Sequence, residues 1–279
     1  MSVLHFIWLG KNRIPREIIN TWKPQKNDKY KIIVWRDYPD DKEDCDKDIK
    51  ELGKLHNKKL FEESEKYNQK SDILRLEILY KYGGIYMDCD IVRIPDSPDI
   101  IKTLTKNTGG KKMGRFYITY EKAGCVSNSL IYVSSSHNKI VKFLINELAD
   151  CKLKDDDGKY ISVCKSTGPK YITDRLTKYG WDMNNVLPYH FVNFGIDYSK
   201  KFVDEKFEIT DNMKNTKFNK DLRYKPVFDS ILGIQLWMGG KKTNYDNVNE
   251  LTVNNALVNY KTYSDMVKRH YEFVDTKSV

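Results

Sequence analysis

No segment of this 279-residue chain approaches the roughly 18 consecutive apolar residues that a bilayer-spanning helix requires. Met1-Ser2-Val3-Leu4-His5 also lacks the basic start and long apolar core of a secretory signal, so a soluble, unexported, cytoplasmic protein is expected. Cysteine is sparse. Cys45, Cys89, Cys125, Cys151 and Cys164 are odd in number, scattered, and form no Cys-x-x-Cys pair. That spacing argues against a disulfide framework or a thiolate zinc site and predicts reduced thiols. Also absent are an Arg-rich stripe, an RNA-binding aromatic signature and a zinc finger. The net charge of +9 therefore does not imply a nucleic-acid partner, because the 31% of charged residues mix both signs. Asp40-Asp41-Lys42-Glu43-Asp44 and Asp155-Asp156-Asp157 are locally acidic. The excess lysine reads as solvated surface, with an anionic substrate or a peripheral contact with an anionic membrane as its functional alternatives. No internal repeat, low-complexity tract or linker divides the chain.

What is present suits an enzyme. Hydrophobic residues make up 40% of the chain and aromatics 13%, enough to bury one large core. Strand-like and helix-like segments alternate. Val3–Leu9 is β-rich and ends at Gly10; Ile14-Pro15 opens a helical stretch to Trp22; residues 30–35 form a second strand. Further strands are predicted at 114–119 and 129–133, with helices at 138–148 and 168–179. This order predicts an α/β fold with a mostly parallel central sheet. In such sheets ligands gather beyond the carboxyl ends of the strands, where both Trp8 and Asp88 fall.

The densest signal lies between residues 71 and 90. Apolar residues at 73, 76, 79 and 80 have helical spacing, with Ser71 as a candidate N-cap and Gly83-Gly84 as the stop. Asp72 and Arg75 are three apart and share a helix face, as a surface ion pair or as a polar clamp for hydroxyls. The strand Ile85-Tyr86-Met87 then runs into Asp88-Cys89-Asp90, where period-two alternation would put both carboxylates on one face. Two carboxylates so close repel unless a hard cation joins them.

In combination, His5-Phe6-Ile7-Trp8-Leu9-Gly10, Ser71-Asp72-Ile73-Leu74-Arg75 and Tyr82-Gly83-Gly84-Ile85-Tyr86-Met87-Asp88-Cys89-Asp90, followed by Asn128 and Thr167-Gly168-Pro169, resemble the glycosyltransferases with an Asp-x-Asp sugar-binding motif. These include initiating α-1,6-mannosyltransferases, α-1,4-galactosyltransferases, capsular polysaccharide transferases and, more distantly, clostridial toxin glucosyltransferase domains. The resemblance implies a GT-A fold, Rossmann-like and built for nucleotide-diphospho-sugars. One domain over 1–279 is expected, with about 200–279 as a helical and loop extension closing the site. It further implies a nucleotide-sugar donor with UDP favoured over GDP, Mn2+ or Mg2+ as cofactor, and retention of configuration. The acceptor would be a glycan, lipid or protein.

By that resemblance Asp90 coordinates the metal directly, and Asp88 supports it and holds ribose or sugar hydroxyls. Asp72 and Arg75 hold the donor sugar, with Ser71 beside them. Trp8 stacks on the base above Leu9 and Gly10, or else is a core residue; Tyr86 lines the pocket or is likewise core. Asn128 and Gly168 fall in the order of acceptor- and sugar-side elements, Gly168-Pro169 also reading as a plain helix start. Many relatives carry a His two residues before a Trp near their C-terminus. Here Gln235 precedes Trp237 in that pattern, offering a neutral amide oxygen as a weaker metal ligand. His190 is a substitute ligand or a structural residue, and Lys241-Lys242 a diphosphate lid or an exposed loop. Two other readings use the same carboxylates: a metal-dependent phosphohydrolase or nucleotidyltransferase, and a catalytically weak sugar-nucleotide-binding protein.

Overall fold

The computed structural model describes residues 2–26, 28–38, 43–106, 116–121, 125–182, 186–187, 190–193, 199–214, 231–238 and 245–275. Among these the strands are β1 (Ser2–Trp8), β2 (Tyr30–Arg36), β3 (Asp46–Asp48), β4 (Gly84–Met87), β5 (Ile91–Arg93), β6 (Phe116–Tyr120), β7 (Val126–Val133) and β8 (Gly233–Gln235). Six form a sheet in the order β3-β2-β1-β4-β7-β6, and β5 pairs with β8. β3, β2, β1 and β4 are parallel to one another, while β7 runs antiparallel to both β4 and β6. This is the α/β architecture with a mostly parallel central sheet that the order of elements predicts. The chain groups into two compact units. One holds Met1–Asn12, Lys23–Cys89 and Pro98–Tyr189; the other holds Arg13–Trp22, Asp90–Ser97 and His190–Val279.

The first unit contains the sheet. Leu4, Phe6, Val34 and Trp35 are fully buried, as expected for parallel strands that read as continuous apolar runs. Helices Tyr67–Tyr82, Lys139–Leu148 and Pro169–Lys178 supply Ile73, Leu76, Leu144, Ile172 and Leu176 to a core that also takes Trp35. Asn138 caps one of them by accepting from the N–H groups of Ile140 and Val141, and Pro169 occupies the first turn of another. The helix carrying Asp72 begins at Tyr67, four residues before the predicted start at Ser71. Its first turn is polar and shows no apolar period, so periodicity alone places the boundary too late. Asn128, expected before a strand, lies inside β7.

The turn between that helix and β4 is tightly fixed. The buried His5 ring accepts from the Trp35 indole at Nδ1 and lies 3.1 Å from the Gly83 carbonyl through Nε2. Burial lowers His5 to about 4, so the ring is neutral and Nε2–H donates. Gly84 has φ +89°, and a Cβ there would lie 2.4 Å from the Val3 carbonyl oxygen. Gly84→Ala is expected to cost at least about 1–3 kcal/mol from the strained backbone, read as a lowered urea midpoint. An unchanged midpoint would show that the turn relaxes freely.

The second unit has its own core, formed by Ile18, Val92, Phe202, Met213, Ile234, Leu236, Tyr260, Tyr263 and Val267 among others. Helix Glu250–Asp275 is pinned by Asn259, whose amide donates to the carbonyls of Phe202 and Asp204 at 2.7 and 2.9 Å. Trp22 donates to the Ile91 carbonyl at 2.6 Å, fixing β5 to the Arg16–Asn20 helix. Among the described residues no helix is long and apolar enough to cross a membrane, and all five cysteines are free thiols.

Candidate functional site

The site grows from one buried helix face. Asp72 and Arg75 are each 4% exposed, and Arg75 Nη2 lies 2.8 Å from Asp72 Oδ1. The surface-pair reading of these two residues is therefore set aside. Asp72 also accepts from Asn128 Nδ2 and Thr167 Oγ1, both at 2.8 Å. Arg75 donates through Nη1 to the Asn128 carbonyl and through Nε to the Ser71 carbonyl. Its guanidinium stacks 4.4 Å from the Tyr86 ring centroid, and Nη1 lies 3.5 Å from Asp88 Oδ1. Tyr86 closes the ring of contacts by donating to Asp88 Oδ1 at 2.7 Å.

Asn128 reaches this network because β7 is irregular. Ile118 opposes Ile131, but Thr119 opposes Ser127, so extra residues bulge from β7 at Asn128. A bulge re-aims a side chain and leaves backbone groups free of the ladder. Here the Asn128 amide serves Asp72 and its carbonyl serves Arg75. At Gly168 a Cβ would come 3.0 Å from the Val163 carbonyl and 3.4 Å from Asp72 Oδ2, so the glycine lets that helix start sit close to the carboxylate.

Burial raises Asp72 to about 6, against Arg75, Thr167 and Asn128, which all favour its ionised form. Burial opposes the charge on Arg75 too, but Tyr86, Asp72 and Asp88 outweigh it and hold the guanidinium protonated. Since Asp72 titrates higher in the folded chain than its ordinary 3.8, the folded state holds the extra proton between those values. The contribution of Asp72 to stability is then fully present below about 4 and is lost as pH rises through about 6. Asp72→Asn should remove that loss, measured as urea midpoints across pH 4–7; parallel curves for both proteins would refute it.

Asp88 and Asp90 do not share a strand face as alternation predicts. β4 ends at Met87; Asp88 follows it directly and Asp90 lies in the turn beyond, outside the reach of the period-two rule. Asp88 belongs to the first unit and is partly exposed; its N–H donates to the Ser129 carbonyl. Asp90 belongs to the second unit and is buried, and its Oδ2 accepts from the Met238 N–H at 2.8 Å. Gln235 is buried on β8 opposite Ile91, and the next residue, Leu236, donates to the Asp90 carbonyl. Opposed residues in an antiparallel ladder share a face, so Gln235 is placed beside Ile91.

Trp8 is half-buried at the end of β1, with its indole donating to the Asn12 carbonyl at 2.7 Å. Leu9 is core and Gly10 turns the chain at φ +88°. Sequence reasoning passed over three further residues in the first unit. Thr167 holds Asp72, and it was legible only as part of Thr167-Gly168-Pro169. Asp37 accepts from the Gly10 N–H at 2.8 Å, and Glu121 is raised to about 7 by burial and then by Asp88. No spacing signal marked either. The His190 side chain and Lys241-Lys242 lie outside the described residues.

In the first unit the helix-borne Asp72–Arg75 pair lies against Asp88, so groups that only accept hydrogen bonds when ionised stand beside one that only donates. Residues 15–105, which include these three and Asp90, match the family described as glycosyltransferase sugar-binding region containing DXD motif. That segment is thus of the glycosyltransferase sugar-binding class. Among curated proteins the chain is similar to Subversion of eukaryotic traffic protein A of Legionella pneumophila subsp. pneumophila, with 34% identity over 118 residues. The match covers 35% of this chain and 18% of that protein's length. Among solved structures it is similar to PaToxG Glycosyltransferase, at 20% identity and TM-score 0.46, over 66% of this chain and 71% of the other. It is also similar to the ligand-free glycosyltransferase domain from the YGT toxin, at 10% identity and TM-score 0.48, over 67% and 79% of the two chains.

Proposed function

We propose that the chain transfers a hexose or N-acetylhexosamine from a nucleotide diphosphate sugar, UDP favoured over GDP, to a glycan, lipid or protein acceptor, with retention of configuration. The observation that carries this reading is the buried pair Asp72–Arg75 beside Asp88 in the matched sugar-binding segment, held from outside that segment by Asn128 and Thr167. Ionised, Asp72 and Asp88 only accept hydrogen bonds, which suits them to sugar and ribose hydroxyls. Arg75 spends most of its donors on the protein, so its part is to orient Asp72 and Asp88 toward the donor. Trp8 offers an aromatic face to the base.

Asp90 and Asp88 are the residues that would hold Mn2+ or Mg2+, with Gln235 the third candidate. Among the described residues no three His, Cys, Asp or Glu side chains cluster as a cation site. An ion there would be held by one or two carboxylates and completed by substrate phosphates and water. When bound, such an ion offsets the charge that develops on the leaving diphosphate. Incubation with UDP- and GDP-sugars and Mn2+ tests the reading. Sugar transfer or slow donor hydrolysis supports it; phosphate release independent of the sugar, or binding without turnover, would overturn it.

A further inference from the structure

Helix Tyr67–Tyr82 carries the Asp72–Arg75 pair near its start and Tyr80 and Tyr82 at its end, so Tyr80 lies about 12 Å along the helix from Asp72. At that far end cations and aromatic rings come together. The Lys142 ammonium is 5.1 Å from the Tyr80 ring centroid, and the His56 and His137 rings meet the same ring edge-on at 5.4 and 5.0 Å. Tyr82 is 40% exposed, stacks at 5.4 Å on the buried Trp35, and has the Lys81 ammonium 5.2 Å from its centroid. The loop at 134–137 is packed onto this end. A Cβ on Gly83 would lie 2.8 Å from the Ser135 carbonyl carbon, and the His137 N–H donates to the Tyr80 carbonyl at 2.7 Å.

The sheet register adds a further cation at the same edge. Lys31 pairs with Val3, and the pairing of Leu4 with Ile85 sets Val3 level with Gly84. Lys31, Lys81 and Lys139 are all exposed. Three carboxylates at this end are taken up within the chain: Glu77 is buried against His56 Nδ1 at 2.8 Å, Glu51 pairs with Lys47 at 3.1 Å, and Asp28 accepts from the Gln25 N–H. The outward field here is therefore positive.

We propose that this end of the first unit docks on the surface of an anionic phospholipid bilayer. The cations are lysines and histidines. Lysine is a mobile point charge that suits the diffuse field of anionic headgroups, whereas shaped recognition of a nucleic acid or an acidic peptide favours the planar arginine fork. Tyr80 and Tyr82 add an apolar body with a polar tip, the combination that settles at a membrane–water interface. Docked in this way, the first unit turns the Asp72 end of the helix away from the lipid and leaves it open to solution.

Sedimentation of the full chain with vesicles tests the proposal. Vesicles of equal parts phosphatidylcholine and phosphatidylserine should bind the wild type, and phosphatidylcholine alone should not. Raising the ionic strength from about 0.1 M to about 0.5 M should release the protein, because screening shortens the reach of the field. A lysine at an anionic bilayer contributes roughly fivefold to partitioning, so Lys139→Glu with Lys142→Glu should weaken binding by at least about 25-fold. Both positions lie in the first turn of helix Lys139–Leu148, where the dipole favours an acid, so the folded circular-dichroism signal should be kept. Lys152→Glu with Lys159→Glu makes the same change in net charge beyond the other end of that helix and should bind as the wild type does. Equal losses in the two pairs would overturn the proposal by reducing binding to net charge. Full affinity after Lys139→Glu with Lys142→Glu would overturn it too, as would a wild type that ignores the anionic vesicles, a comparison that stands whether or not the variants fold. Binding of soluble polyglutamate without binding of vesicles would assign the surface to an acidic protein partner instead.

Discussion

Asp90→Asn should slow Mn2+-dependent donor hydrolysis by on the order of 10³-fold while leaving the melting temperature close to that of the wild type. A cation that offsets charge on the leaving diphosphate contributes several kcal/mol to the barrier, and about 1.4 kcal/mol is tenfold in rate. The substitution removes the charge that would hold the ion. It keeps an oxygen able to accept from the Met238 N–H, so the buried hydrogen bond in the second unit survives. Manganese affinity, followed by the paramagnetic resonance of free Mn2+, gives a readout independent of turnover. Full activity together with unchanged Mn2+ affinity would sink the assignment of Asp90.

Arg75→Met should destabilise the first unit by about 3–5 kcal/mol, the usual cost of leaving one member of a buried ion pair alone. The substitution also strips the Asn128 and Ser71 carbonyls of their donor and removes the cation stacked on Tyr86. Arg75→Lys is expected to recover little, because an ammonium cannot span Asp72, Asp88 and two carbonyls as a planar fork does. The decisive comparison is Arg75→Met combined with Asp72→Asn. If the stranded carboxylate causes the loss, the double variant will be more stable than Arg75→Met alone, measured by urea unfolding at pH 7. A double variant that is no more stable would place the cost in lost packing instead.

The helix–glycine–strand unit was legible because each part has a local cause. Apolar spacing marks the helix, a left-handed residue ends it, and a short β-branched and aromatic run marks the strand. The pairing of Asp72 with Arg75 followed from their separation by three residues. Its burial did not, because an ion pair on a solvated face has the same spacing. Ser71 was misplaced as the helix start for a related reason: helix boundaries set by polar residues carry no periodic signal. Asn128 and Thr167 lie far from Asp72 in sequence, and nothing local records that a bulge in β7 turns one of them, and a helix start carries the other, onto the same carboxylate.

The sequence by itself determined the class of fold, the segment that matches the sugar-binding family, and the helix–glycine–strand unit that carries Asp72, Arg75 and Asp88. Those properties depend on short-range spacing and on residue chemistry, which are written along the chain. The tertiary structure alone decided that Arg75 is spent on holding other groups and that Asp88 and Asp90 lie beyond the end of the strand. It also decided that the chain passes twice into a second unit, at Arg13–Trp22 and Asp90–Ser97, before completing it from His190 onward. These features depend on contacts between segments far apart in sequence, whose positions packing fixes and local propensity does not.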